Sequence, residues 1–403
     1  MFLFEIEKMH RQYGPIVRIT PCEVHVSDPA FYDEIYAPSS RKRDKPVSFV
    51  PSIGLPDSMA ATVGHEQHRF RRSILTEFFS RRSVLALSDM VDERLQTLMQ
   101  RFEEFRNNQT VVCLDDAFTA LTSDIITSYC CGRHWGFVED EHFNNQVRKA
   151  IEDLAKFCHV NRFFPWLVYL PRILSPRERT RNRLRDEAVA VIGAGTESTG
   201  HILTVAAYHL ARNSDMRATL RTELKQVLPT LDSRPTLPEL EKLPYLVGVV
   251  NESLRLSYAL VGRLPRVAPT ESLTYKDYVI PPGTPMSSSS YFIHRDASIF
   301  PDPERFDPDR WATAVQKEQN CKRYLTSFTR GSRACLGINL AYLELFQTIA
   351  HFVRRFDVHL YDTEPEDVRL TRDMTIGYTR RGFMKVYAKL SSAEEWSGVE
   401  RCS

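Results

Sequence analysis

Apolar residues recur at three- and four-residue spacing through eight long stretches of this chain, and strands of comparable length do not alternate with them. The stretches run from Phe70 to Phe79, Leu85 to Phe105, Ala117 to Cys130, Phe143 to Phe157, Arg185 to Arg212, Met216 to Leu228, Leu246 to Tyr258 and Leu340 to Phe356. Such spacing lines one face of a helix and predicts amphipathic helices. Period-two alternation is short and lies toward the ends, at Val17 to Ile19, Val24 to Val26, Thr274 to Ile280 and Met384 to Leu390. A doubly wound parallel sheet requires helix and strand in turn, and this order disfavours it. The expectation is a mainly α fold with a small β-sheet region. It is expected to form one domain over residues 1–403, with 391–403 as a disordered tail.

Composition removes several functions. The 53 basic residues nearly balance the 51 acidic ones, a net charge of +2, so no bulk field favours nucleic acid. Eight cysteines include no C-x-x-C pair, which disfavours a zinc site. At the start, Met1-Phe2-Leu3-Phe4 meets Glu5, Glu7 and Lys8 at once, unlike a secretory signal. The longest apolar stretch, Phe163 to Leu170, contains Pro165 and is too short to span a bilayer. A soluble, cytoplasmic chain with reduced thiols and no membrane span is expected.

The richest local signal is Phe328-Thr329-Arg330-Gly331-Ser332-Arg333-Ala334-Cys335-Leu336-Gly337, followed directly by an amphipathic helix. Free N–H groups and the positive dipole end of a helix favour thiolate at Cys335. Gly331 and Gly337 allow unusual backbone angles and the close approach of a flat ligand. Arg333 supplies a planar cation suited to a carboxylate. Thiolate ligation of haem iron wants this combination; a buried structural cysteine is the plainer alternative.

Phe328, Gly331, Arg333, Cys335 and Gly337 match F-x-x-G-x-R-x-C-x-G, and on them the chain resembles the cytochrome P-450 family. Glu252 and Arg255 form E-x-x-R, one helical turn apart. Pro303-Glu304-Arg305-Phe306 and Arg310-Trp311 are similar to the family's P-E-R-F and P-x-R-W segment. The resemblance implies a buried network of Glu252, Arg255 and Arg305 behind the haem. It also implies propionate contacts from Arg72, in a W-x-x-x-R helix where His68 replaces tryptophan, and from Arg266 and Arg333.

Val189 to Gly200 could be a strand running into a glycine-rich dinucleotide turn. Its helical lead-in and the lack of a later acidic strand end speak against that. Ala194, Gly195, Glu197, Ser198 and Thr199 instead align with the family's A-G-x-[DE]-T-T, in which Ala-Gly makes room for dioxygen while acid and hydroxyl deliver protons. Ser198 stands where threonine is usual, keeping the hydroxyl and losing the methyl that restricts it.

Tyr13 to Arg18 and Arg41 to Pro46 resemble fungal secondary-metabolism members, closest to the trichodiene oxygenase-like enzymes. Membership implies haem b, electrons from NADPH through a separate reductase, and a small lipophilic terpenoid or polyketide substrate. Family members usually carry an endoplasmic-reticulum anchor, which this chain is expected to lack. Between Asp124 and Ala194 the chain is shorter than its family, so the helices roofing the substrate pocket are expected to be reduced. A haem-binding remnant without turnover, and a haem-thiolate isomerase or dehydratase, remain as other readings. Glu197 and Ser198 favour oxygen chemistry over the last of these.

Overall fold

The computed structural model describes residues 2–169, 179–316, 321–374 and 376–393. Seven helices bear on the site: α1 Phe2–Tyr13, α2 His65–Thr76, α3 Leu114–Cys131, α4 Gln146–Phe163, α5 Arg179–Ala211, α6 Pro244–Leu256 and α7 Ile338–Arg355. The stretch from Val189 to Gly200 lies wholly inside α5, a continuous helix of 33 residues, so the dinucleotide reading fails. Helix α4 begins where the Asn145 side chain accepts from the Arg148 N–H at 2.9 Å, satisfying one of the free donors of its first turn.

Helices α3 and α5 pack along one another. Glycine makes this possible: a Cβ on Gly195 would lie 2.7 Å from the Ile126 side chain, and one on Gly200 would lie 3.0 Å from the Thr119 Cα. Helix α7 presses Leu343, Phe346, Ile349, Ala350 and Phe352 into the same core, which also takes Leu121, Ile125 and Leu203. Burying such side chains stabilises the fold by ~1.5–3 kcal/mol each.

The sheets are small. Strands β1 Ile16–Thr20, β2 Glu23–Val26, β4 Arg266–Val267 and β5 Pro285–Ser287 form one, in the order β1-β2-β5-β4. In it β1 and β2 are an antiparallel hairpin, β2 and β5 run parallel with Val24 opposite Met286, and Arg266 also faces Met286. Strands β3 Val112–Cys113, β6 Phe356–Leu360 and β7 Tyr387–Ser392 form the second, in the antiparallel order β3-β7-β6. The alternation from Thr274 to Ile280 is two strands, Leu273–Tyr275 and Tyr278–Ile280, because Lys276 turns the chain at φ 51°.

Between α3 and α5 the described residues hold α4 and a short 3-10 turn, Pro165–Val168. The apolar side chains here find no cover: Phe163 is 77% exposed, Trp166 59% and Phe164 53%, while Leu167 is half-buried. Among the described residues no helix is long and apolar enough to cross a membrane. The end of the expected tail, 394–403, lies outside the described residues.

Candidate active site

The cysteine loop is held from both sides. Gly331 has φ +73°, and a Cβ there would sit 2.2 Å from the Ala37 carbonyl oxygen and 2.4 Å from that of Tyr36, so only glycine fits. The Cys335 amide donates to the Phe328 carbonyl at 2.8 Å, and the Phe328 ring packs 5.2 Å from Tyr342 on α7. Gly337 caps α7, and its N–H points at the Cys335 sulfur. Cys335 is exposed as a residue, although much of the chain packs around it. Burial pushes the Cys335 thiol up, against the pull of the Gly337 N–H and of Arg72. Helix end and arginine favour thiolate, as expected, but burial outweighs them; a metal cation at the sulfur reverses that balance.

Beside the cysteine lies a surplus of positive charge. Arg72 donates to the Ala334 carbonyl at 2.7 Å, and burial pulls its guanidinium down while Cys335 opposes. Arg333 donates to the carbonyls of Thr62 and Val63, both at 2.7 Å; burial, then Arg266, lower it to about 9 against Asp44. Arg266 is buried, donates to the Pro265 carbonyl at 3.0 Å, and lies over the Tyr36 ring. The buried His68 imidazole is brought to about 3 by burial and by Arg333, Arg72, Lys45 and Arg266 together, so all four cations converge on it. Asp44 is the carboxylate acting on this group, and one of its oxygens is already taken by the His65 N–H at 2.7 Å. Inward cations in excess of local anions fit a ligand bearing more than one carboxylate. The residues therefore suit haem, with Cys335 for iron and Arg72, Arg266 and Arg333 for the propionates.

The residues of α5 divide between two faces. Ala194 is exposed, and the Ser198 hydroxyl donates to its carbonyl at 2.7 Å. Gly195 faces the other way, against Ile126, so it serves the α3–α5 contact and makes no room for dioxygen. Glu197 is 1% exposed, and its carboxylate accepts from Arg148 on α4 at 3.1 Å. Arg148 also bonds Asp115 and Asp116, and Lys385 pairs with Asp116. Three carboxylates thus face two cations, and burial raises Glu197 to about 7 despite Arg148. Thr199 is buried and acts on Glu344 of α7, whose carboxyl burial pushes well above the usual range against the pull of the Thr199 hydroxyl. Of the three expected proton-handling residues, only Ser198 presents its side chain beside the open face.

Behind the cysteine loop, Glu252 and Arg255 are buried on α6 and doubly bonded, at 2.6 and 2.9 Å. The third member differs from expectation. The Arg305 side chain is exposed, and only its carbonyl joins, accepting from Arg255 at 3.0 Å. Arg310 takes the pairing role, donating to Glu252 at 3.0 Å, and Trp311 adds its indole N–H at 3.0 Å. The helix Asp309–Gln316 starts beside α6 and carries both side chains inward, whereas Arg305 lies in the preceding loop. Lys45, Arg148 and Glu344 were not singled out from sequence; the groups that shift them lie tens to hundreds of residues away, and no local motif marks them.

Residues 1–178 and 174–383 match the family model of cytochrome P450. The match breaks and resumes near α4–α5, where the chain was expected to be short. Similar proteins include the cytochrome P450 monooxygenase TRI4 of Trichoderma arundinaceum, 37% identical over 432 aligned positions that take in 94% of this chain and 84% of the relative. That alignment is longer than the 403-residue chain, so the relative holds residues without a counterpart here. Conidiogenone synthase of Penicillium rubens is 40% identical over 93% of this chain and 86% of its own length. The cytochrome P450 monooxygenase claJ of Penicillium crustosum is 38% identical over 93% and 98%. With the motifs, the geometry and these matches in agreement, the chain belongs to the cytochrome P450 family, whose cofactor is haem.

Proposed function

We propose that this protein is a haem-thiolate monooxygenase that folds as one domain and acts on a small lipophilic terpenoid or polyketide intermediate. The observation carrying this reading is the pairing of an exposed Cys335 at a helix N-terminus with the inward cations Arg72, Arg266 and Arg333. Haem b, when bound, supplies the activation of dioxygen, with electrons drawn from NADPH through a separate reductase. Cys335 provides the axial sulfur, and Phe328, Gly331 and Gly337 shape the loop that presents it.

On the opposite side the protein's work is to place substrate and handle protons. Ala194 leaves space, and Ser198 Oγ, tied through its proton to the Ala194 carbonyl, keeps its lone pairs free to accept and pass on a proton from water. Glu197 is a store of one proton near neutral pH. Because Arg148 also bonds Asp115 and Asp116, it can release Glu197 without being stranded. Thr199 acts through Glu344, joining α5 to α7. The substrate class follows the family resemblance and the relatives' names, one of them a conidiogenone synthase.

The test is the absorption spectrum of the reduced protein under carbon monoxide. The wild type is expected to give the red-shifted Soret band of thiolate-ligated haem, and Cys335→Ala to lose it completely. Retention of that band in Cys335→Ala removes the axial assignment.

A further inference from the structure

Two histidines fasten α1 to the first sheet. At the end of α1 the Gly14 amide donates to the His10 carbonyl at 3.0 Å, and the His10 ring turns back so that its Nδ1 lies 2.8 Å from the Gly14 carbonyl oxygen. The other nitrogen of that ring, Nε2, lies 2.7 Å from Nδ1 of His25 on β2. His25 is fully buried, and its own Nε2 has no hydrogen-bond partner among the described residues. A carbonyl can only accept, so His10 carries its proton on Nδ1 and its Nε2 is bare. That nitrogen accepts in turn, so His25 carries its proton on Nδ1 and presents a bare Nε2 to the interior. A proton added to His25 makes an Nε2–H with no partner. One added to His10 Nε2 forces His25 to accept at Nδ1 and to move its hydrogen to Nε2, with the same result. Either way a cation and an unpaired donor share a buried seat, which is costly.

The carboxylates near this seat are engaged elsewhere. On α1, Glu5 pairs with Lys8 and Glu7 with Arg11, both at 2.8 Å. On β2, Glu23 is held by Arg263 at 2.6 Å and by the Ser287 hydroxyl of β5 at 2.9 Å. On β1, Val17 stands opposite His25, and Arg18 points to the other face. The short helix Ser290–His294 sets the Phe292 ring 5.3 Å from His25 and 5.5 Å from His10. Its Tyr291 lies under Arg295, and its His294 is bonded to the Arg255 carbonyl. The Ser27 hydroxyl, 3.4 Å from His10 Nδ1, completes the surroundings. Burial, then His10 and Arg263, hold the His25 imidazole well below the ordinary histidine range, and burial lowers His10 against the pull of the Gly14 carbonyl.

What this pair holds in place borders the active site. Leu3 on α1 packs with Tyr258, Val261 and Leu370, and Phe2 lies 5.0 Å from the Arg263 guanidinium. The Tyr258 amide donates to Nε2 of His201 on α5 at 3.2 Å, three residues beyond Ser198. We propose that the His10–His25 pair is a pH-sensitive clasp, which when neutral docks α1 and braces the segment from Tyr258 to Arg263, and when protonated releases α1 and loosens that segment. One proton is taken up from solvent, the hydrogen bond from His25 to His10 is lost, and no covalent bond changes. The clasp stands on α1 and the sheet alone; its bearing on the active site rests on the haem-thiolate reading above.

The experiment is amide hydrogen exchange of the full chain read by mass spectrometry, corrected for the pH dependence of exchange itself. Released histidines titrate at the ordinary value, so docking is fully present above about pH 6.5 and is lost as pH falls below it. From pH 7.5 to 5.5 the opening of α1 is expected to become at least about tenfold more frequent, the effect of one proton taken up over one pH unit, while α7 changes by less than about twofold. His25→Leu, which keeps the seat apolar and takes no proton, is expected to hold the response of α1 within about twofold. Unchanged protection of α1 across this range overturns the proposal, as does a rise shared equally by α7 or a wild-type response retained in His25→Leu. Should His25→Leu not fold, nitrogen-15 NMR of histidine-labelled wild type decides: a bare His25 Nε2 at pH 7.5 that stays bare at pH 6 supports the clasp, and an Nε2–H at pH 7.5 overturns it. A wild type without the red-shifted Soret band under carbon monoxide overturns the haem reading instead, and with it only the bearing on the active site.

Discussion

Two groups of buried charge lie on either side of the cysteine loop, and they are built on opposite terms. Around Glu252 both carboxylate oxygens are filled, one by Arg255, Arg310 and the Asp307 amide, the other by Arg255 and the Trp311 indole. Arg255 spends its remaining donors on the carbonyls of His294, Pro303 and Arg305. Around Lys45, Arg72, Arg266 and Arg333 the donors meet carbonyls or nothing, with Asp44 as the carboxylate acting there. A saturated cluster holds the fold together and has no capacity left for a ligand. A cluster with unmatched charge keeps the capacity to take up an anion. Buried charge alone would not tell them apart; the count of partners does.

The largest expected effect breaks the saturated side. Glu252→Gln leaves Arg255 and Arg310 facing a neutral amide and is expected to destabilise the protein by ~3–5 kcal/mol. Chemical denaturation and the yield of soluble, haem-loaded protein read it. Ordinary stability with slowed turnover alone would move Glu252 out of the structural class.

A smaller effect separates two arginines five residues apart. Arg310→Ala removes one of Glu252's contacts and is expected to cost ~1–3 kcal/mol, because a charged acceptor loses a buried donor. Arg305→Ala, whose side chain is exposed, is expected to stay within ~0.5 kcal/mol. Equal losses in the two unfolding curves would restore Arg305 to the network.

The smallest effect belongs to the Arg148 cluster, where negative charge is in excess. Glu197 is raised above the ordinary glutamate value to about 7, so the folded state binds the extra proton. That stability is fully present below about pH 4.5 and is lost as pH rises through 7. Between pH 5 and 6 the wild type is expected to lose ~1 kcal/mol relative to Glu197→Gln. Parallel stability profiles for the two proteins would place the excess proton on another carboxylate.

Legibility followed distance along the chain. The cysteine loop packs its cysteine, its required glycine and its helix start into ten residues, all within one motif. The helical character was plain because apolar periodicity is local. Pairings made by folding were another matter. Arg305 and Arg310 are equally basic and nearly adjacent, and only the start of a short helix decides which side chain turns inward. Gly195 read as space for a ligand, yet a helix has several faces and this one meets Ile126. Lys45 carried no signal of its own, because residue type does not reveal that its neighbours Arg41, Lys42 and Arg43 are paired while it is turned inward. The exposed Phe163 and Trp166 lie in the short segment before α5, where the sequence leaves open whether they cover the pocket or face outward.

Gly331 has a consequence for how the molecule is assembled. Its Cα is enclosed by the carbonyls of Tyr36 and Ala37, nearly three hundred positions earlier in the chain, and Arg330 pairs with Asp33 at 2.7 Å in the same seam. During synthesis the early segment emerges first, so its carbonyls must wait for the cysteine loop to leave the ribosome. Closing a contact over that span is slow compared with winding the helices between. The sulfur's cradle is therefore a long-range contact, complete only once both ends of this span have been made. Any substitution that adds a side chain at Gly331 is expected to push the early segment and the cysteine loop apart, so one methyl group would loosen a seam that spans most of the chain.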